Sequence, residues 1–180
     1  MKTKITFLAV IFSLSFSTIF LTKCKKDKCK NTVCQNGGTC NDGTCACATG
    51  YTGTHCETQK TPTNITVTKI TVTNFNVNGD PDENYPDIYV KLLEGSTVLY
   101  NAPTYYTDVT SSAGSWSWSV ILNLNPSKTY TLELWDYDTI TDDWLQGATF
   151  SLYSSSGGFP SSKSYTTGSF AFTIDMSYSF

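Results

Sequence analysis

From Ile65 onward, apolar and polar residues alternate along the chain with a period of two. Trp116-Ser-Trp118-Ser-Val120 continues in phase through Leu122 and Leu124. Phe170, Phe172, Ile174, Met176, Tyr178 and Phe180 do the same. A strand with one buried and one solvated face reads this way, because successive side chains leave it on opposite sides. The same criterion, with turn residues as punctuation, predicts strands over Ile65–Val77, Ile88–Leu93, Val98–Tyr106, Tyr130–Trp135 and Thr149–Tyr153. In the first of these the apolar phase shifts near Ile70 and again at Phe75, which predicts bulges or breaks there. No helical period occurs in this half, and so many short strands in about 115 residues predict an antiparallel β-sandwich. Trp116 and Trp118 read as packed strand residues, with a sugar-stacking face as the alternative.

The other end of the chain has a different pattern. Lys2 and Lys4 precede an apolar run from Ile5 to Leu21, which describes a secretory signal peptide over residues 1–23. An uncleaved membrane anchor is the competing reading. Leu21-Thr22-Lys23-Cys24 resembles the lipobox of bacterial lipoproteins, although Lys23 stands where a small residue is usual. That resemblance implies lipidation of Cys24, with residues 24–28 as a short tether. The charged stretch from Lys25 to Lys28 is similar to the export tags of Bacteroidetes surface lipoproteins. Seven cysteines fall between Cys24 and Cys56, so setting Cys24 aside leaves an even six.

Those six, Cys29, Cys34, Cys40, Cys45, Cys47 and Cys56, lie within about thirty residues. So short a segment cannot bury an adequate core and needs crosslinks, which form in an oxidising compartment. Spacing alone leaves about fifteen pairings open, and a zinc site is the competing use of clustered cysteines. Cys34-Gln-Asn-Gly-Gly-Thr-Cys40, followed by Cys45-Ala-Cys47 and Gly50-Tyr51-Thr-Gly53-Thr-His-Cys56, resembles an EGF-like domain over residues 29–57. The resemblance implies Cys29–Cys40, Cys34–Cys45 and Cys47–Cys56, without calcium in this module, which would serve as a rigid spacer or protein-contact surface. Asn41-Asp42-Gly43 suits a tight hairpin turn, and His55 reads as an exposed loop residue. Residues 58–63, with Pro62, read as a linker to the sandwich over 64–180.

Charge then separates the two halves. No Arg occurs, His55 is the single histidine, and residues 60–180 hold twelve acids against five lysines. A basic nucleic-acid surface is excluded. Asp80, Asp82, Glu83 and Asp87 precede one predicted strand; Asp136, Asp138, Asp142 and Asp143 follow another; neither segment contains Lys. Brought together, such carboxylates suit calcium, which takes six to eight oxygen ligands in irregular geometry. Turn-favouring, solubilising acids are the plainer alternative.

Pro86-Asp87-Ile88-Tyr89-Val90-Lys91-Leu92 resembles the strand start of C2 domains. Leu132-Glu-Leu-Trp135-Asp136-Tyr-Asp138 and Asp142-Asp143-Trp144-Leu-Gln-Gly147 resemble their second calcium loop. The likeness implies an eight-stranded C2-like sandwich with Asp87, Asp136, Asp138 and Asp143 as calcium ligands, Asp80 or Asp82 supplying the first loop, and Trp144 and Leu145 packed in the core rather than exposed as membrane-inserting tips. Together these features imply a mainly β, non-enzymatic, membrane-anchored surface or periplasmic binding or adhesion lipoprotein. Its partners would be a phospholipid, an acidic glycan or a protein. The alternatives are a purely structural surface protein, a glycan-active hydrolase using Asp136 and Asp138, and a small outer-membrane β-barrel ending at Phe180. Intact-mass spectrometry of the membrane-extracted native protein is expected to find a chain beginning at Cys24 with a diacyl- or triacylglycerol adduct; an unmodified Cys24 removes the anchor.

Overall fold

The computed structural model describes residues 26–79 and 85–180. The expected signal peptide, Cys24, Asp80, Asp82 and Glu83 lie outside the described residues. The first described region is a small disulfide module. Strands β1 (Thr39–Asn41) and β2 (Thr44–Ala46) form a hairpin, and β3 (Tyr51–Thr52) pairs with β4 (Thr58–Gln59). Asp42 and Gly43 both take positive φ at the hairpin turn, 53° and 91°, the conformation a two-residue turn between twisted strands requires. Three disulfides join Cys29 to Cys40, Cys34 to Cys45 and Cys47 to Cys56. Only Gly50 and Cys56 of the described module residues are buried. Crosslinks therefore take the place of a core, and they require an oxidising compartment.

The remaining strands are β5 (Asn64–Asn74), β6 (Ile88–Glu94), β7 (Thr97–Asn101), β8 (Ala113–Leu124), β9 (Thr129–Asp136), β10 (Asp143–Ser151), β11 (Ser162–Thr167) and β12 (Phe170–Ser179). They form two four-stranded antiparallel sheets, ordered β10-β9-β6-β7 and β11-β12-β5-β8. Alternate residues of each strand meet between the sheets: Ile65, Val67, Ile70 and Val72 from β5, Leu132 and Leu134 from β9, Phe170, Phe172 and Ile174 from β12. Two open sheets around an apolar interior are the reverse of a membrane barrel, which is apolar outside and closed. The expected phase shift in β5 is present. Its ladders slip between Val67 and Lys69, so that Val67 and Ile70 both face inward, and slip again between Val72 and Asn74.

Several expected strands have different bounds, three of them for a visible reason. Val98–Tyr106 ends at Asn101, because Ala102-Pro103 interrupts the ladder and Pro lacks a donor. Ile65–Val77 ends at Asn74, with Val77–Gly79 in a single 3-10 turn. Thr149–Tyr153 starts six residues early, at Asp143, and ends at Ser151. Strand β11 was not expected at all.

The module sits on one end of the sandwich. Gln59 clamps the β10–β11 loop with both amide atoms, donating to the Ser154 carbonyl and accepting from the Gly158 N–H, each at 2.9 Å. The Tyr153 hydroxyl donates to the Lys60 carbonyl at 3.0 Å. Phe159 lies amid rings from both parts, with centroids 5.3 Å from Tyr51 and Tyr178, 4.8 Å from Phe180 and 6.4 Å from Tyr153. Gly50 makes this possible, since at φ 89° its backbone is strained for other residues and a Cβ would overlap the Phe159 ring. Strand β10 leaves its acidic start at Asp143 and reaches this contact about 30 Å away. Phe159→Ala is expected to cost about 2–4 kcal/mol and to release the module. A lower melting temperature and protease cleavage within residues 58–63, with all three disulfides kept, are the readouts; a resistant linker would show that other contacts hold the module.

Candidate functional site

At the far end of the sandwich, strand register brings the predicted acids together. Asp136 closes β9 and pairs with Ile88 at the start of β6 on one side and with Asp143 at the start of β10 on the other. Asp136 is 4% exposed, and its Oδ1 accepts the Asp87 N–H at 2.6 Å. Asp87 in turn accepts the Asp108 N–H at 2.8 Å through Oδ1 and the Tyr137 N–H at 2.9 Å through its carbonyl. Asp142 accepts the Asp138 N–H at 3.3 Å and the Tyr89 hydroxyl at 2.5 Å. Asp138 and Asp143 line one open pocket of about 280 Å³ together with Thr139, Ile140 and Thr141. Donated N–H and O–H groups satisfy carboxylate oxygens of Asp87, Asp136 and Asp142 within the loops.

The β7–β8 connection supplies part of this end, and sequence reasoning missed it. Tyr106 pairs its backbone with Ile88 in both directions at 2.9 Å. Its hydroxyl donates to the Ser117 carbonyl at 2.9 Å and accepts the Ser117 N–H at 3.0 Å. One residue thus ties β6 to the open edge of β8 and carries Asp108 to Asp87. Nothing in the alternation pattern points to Asp108 or Tyr106 as partners of Asp87, which lies some twenty residues away.

Apolar groups surround the acids. Ile140 at the loop tip is 95% exposed, and Tyr105 stacks on Tyr137 with centroids 4.4 Å apart. Leu145 is buried as expected, but Trp144 is 55% exposed, so the core assignment of Trp144 is corrected. A bulge between Trp144 and Gln146 turns Leu145 inward and leaves Trp144 beside Trp135 on the outer face. The Lys91 ammonium stands 3.5 Å from the Trp135 ring centroid on the same face. Trp118 is buried and Trp116 is half-buried against Phe75, so both are packing residues.

The donor set is all oxygen, which is the chemistry of a hard cation such as calcium. Among the described residues no three His, Cys, Asp or Glu side chains converge as a metal group, and Asp80 and Asp82 lie outside them. No protein-family profile and no curated protein matches the sequence. Among solved structures the chain is similar to one described as a C2 domain, with TM-score 0.46, 16% identity, and 65% of this chain and 98% of that chain covered. It is also similar to human GIVD cytosolic phospholipase A2 in complex with methyl gamma-linolenyl fluorophosphonate, with TM-score 0.48, 17% identity, and 66% of this chain but 17% of that chain covered. A third is the pair of C2 domains of Extended-Synaptotagmin 2, with TM-score 0.44, 14% identity, and 64% of this chain and 41% of that chain covered. No residue role is carried over from these likenesses.

Burial, and then the hydrogen bond to Asp142, push the Tyr89 hydroxyl well above its ordinary value of 10.0. The folded chain therefore keeps a proton there that the unfolded chain releases. This contribution to stability is complete below about pH 10 and is lost as pH rises above it. Urea unfolding at about pH 8 and about pH 11 is expected to show a smaller alkaline loss in Tyr89→Phe than in the parent. An identical loss would assign the effect to other tyrosines.

Proposed function

We propose that this chain is an exported, lipid-anchored binding protein without enzymatic activity. In it an EGF-like stalk carries a C2-like sandwich whose acidic loops take calcium and, through it, an anionic ligand. The observation that carries this reading is the division of the sandwich into two ends. The disulfide module docks where β10 ends, while Asp87, Asp136, Asp138, Asp142 and Asp143 gather where β10 begins, about 30 Å away. A stalk at one end leaves the acidic end facing outward. Lysine is absent from both acidic segments, so a cation is the natural counter-charge. Asp80 or Asp82 would complete the set. Exposed Ile140, Tyr137 and Trp144 beside these acids suit contact with an amphipathic surface, which favours a phospholipid over a soluble acidic glycan.

The non-enzymatic part is supported by the placement of reactive groups. His55 is exposed in the module, 3.2 Å from the Thr54 hydroxyl, and the sandwich contains no imidazole. Asp136, which a glycosidase would need accessible, is buried. A second reading, a structural surface protein without calcium, is favoured by one observation: Asp87, Asp136 and Asp142 already accept hydrogen bonds from protein donors.

Thermal melts with calcium and with chelator separate the two readings. At about a hundred times Kd, calcium is expected to add about 2.7 kcal/mol, a rise of several degrees, abolished by Asp136→Asn with Asp138→Asn. A melt unchanged by calcium selects the structural reading.

A further inference from the structure

Where the module meets the sandwich there is an open cleft of about 480 Å³. Asn36, Tyr51, Glu57 and Gln59 of the module form one side, and Ser155 and Ser156 of the β10–β11 loop form the other. Its polar groups are held in place. Asn36, at φ 49°, donates through Nδ2 to the Cys56 carbonyl at 2.8 Å. Gln59 spans the junction through its two hydrogen bonds to Ser154 and Gly158. Glu57 accepts the His55 N–H at 2.8 Å. Gly53 provides the space, since a Cβ there would lie 2.5 Å from the Glu57 carboxylate. Hydrogen bonds from its own N–H and from that of His55 hold the Glu57 carboxyl below its ordinary value of 4.5, so it is charged at neutral pH.

The lining selects a ligand by its chemistry. Among the described residues no Lys or His lines the cleft, so phosphate, sulfate and carboxylate groups would meet no counter-charge. With a single aromatic ring it cannot enclose a quaternary ammonium or an apolar molecule. What remains is one carboxylate, two amides and several hydroxyls around one ring. That combination recognises vicinal hydroxyls that both donate and accept, on a body with an apolar C–H face. We propose that this cleft binds a neutral saccharide of about one or two pyranose rings. The site is independent of the calcium reading and lies at the other end of the sandwich.

The test is saturation-transfer NMR and calorimetry on the mature chain. The probes are the methyl glycosides of glucose, galactose, mannose and N-acetylglucosamine, with methyl phosphate and methylammonium as charged comparisons. At least one glycoside is expected to bind equally with and without chelator. Its affinity should fall about tenfold in Glu57→Gln, which loses a charge-assisted hydrogen bond. Binding should be lost in Ser156→Trp, which fills the cleft; Ser155→Trp serves if that variant fails to fold. Binding of none of the glycosides overturns the proposal. So does binding that survives a folded cleft-filling variant, or binding of only a charged comparison.

Discussion

The apposition of two apolar sheet faces holds the sandwich in place. Each sheet has one face that water disfavours, and each provides the cover for the other. Phe150 of β10 meets Phe172 of β12 at 5.2 Å across the gap, and Leu132, Leu134, Ile70 and Ile174 are fully or nearly fully buried around them. Each such side chain contributes about 1.5–3 kcal/mol when removed from water. The loops have no comparable source of stability. The Asp87 N–H meets the Asp136 carboxylate because β6, which Asp87 precedes, and β9, which Asp136 closes, are fixed by that shared interior.

The disulfide module depends on a different constraint and is joined to the sandwich by a third. Its three crosslinks fix about thirty residues that bury almost nothing. On its own it would be a rigid bead on a string. The aromatic cluster around Phe159, with the Gln59 clamp, turns the string into a joint with one preferred geometry. The walls of the junction cleft are then held at fixed positions by that joint.

Legibility in the sequence followed how clean the alternation was. Strands β8 and β12 were readable because one face is solvated and the other is packed. Strand β11, Ser-Lys-Ser-Tyr-Thr-Thr, was not, since Tyr165 alone marks its inner face. The first half of β10 was hidden by its bulge and by Gly147, and Asp143 and Trp144 were therefore read as loop and core. The acids themselves were visible, as was their lack of lysine neighbours. Their partners were not, because Asp108 and Tyr106 reach them from a connection on the far side of two strands. The junction cleft joins Asn36 to Ser156, more than a hundred residues apart, and no local pattern encodes such a meeting. Cysteine spacing left many pairings open, and only the family resemblance selected one.

Strand β12 lies between β11 and β5, with Tyr178 opposite Ile65 and Phe172 opposite Val72. The earliest strand of the sandwich thus has the latest as its neighbour. Until β12 has been made and delivered, β5 and β8 can pair only with each other, and the other edge of β5 presents unpaired N–H and C=O groups. Closing a loop of this length is entropically slow. For a chain exported before it folds, the disulfide module can oxidise early while the sandwich waits. The interval between those events is when the exposed β5–β8 pair is most open to capture by chaperones, or by other copies of itself.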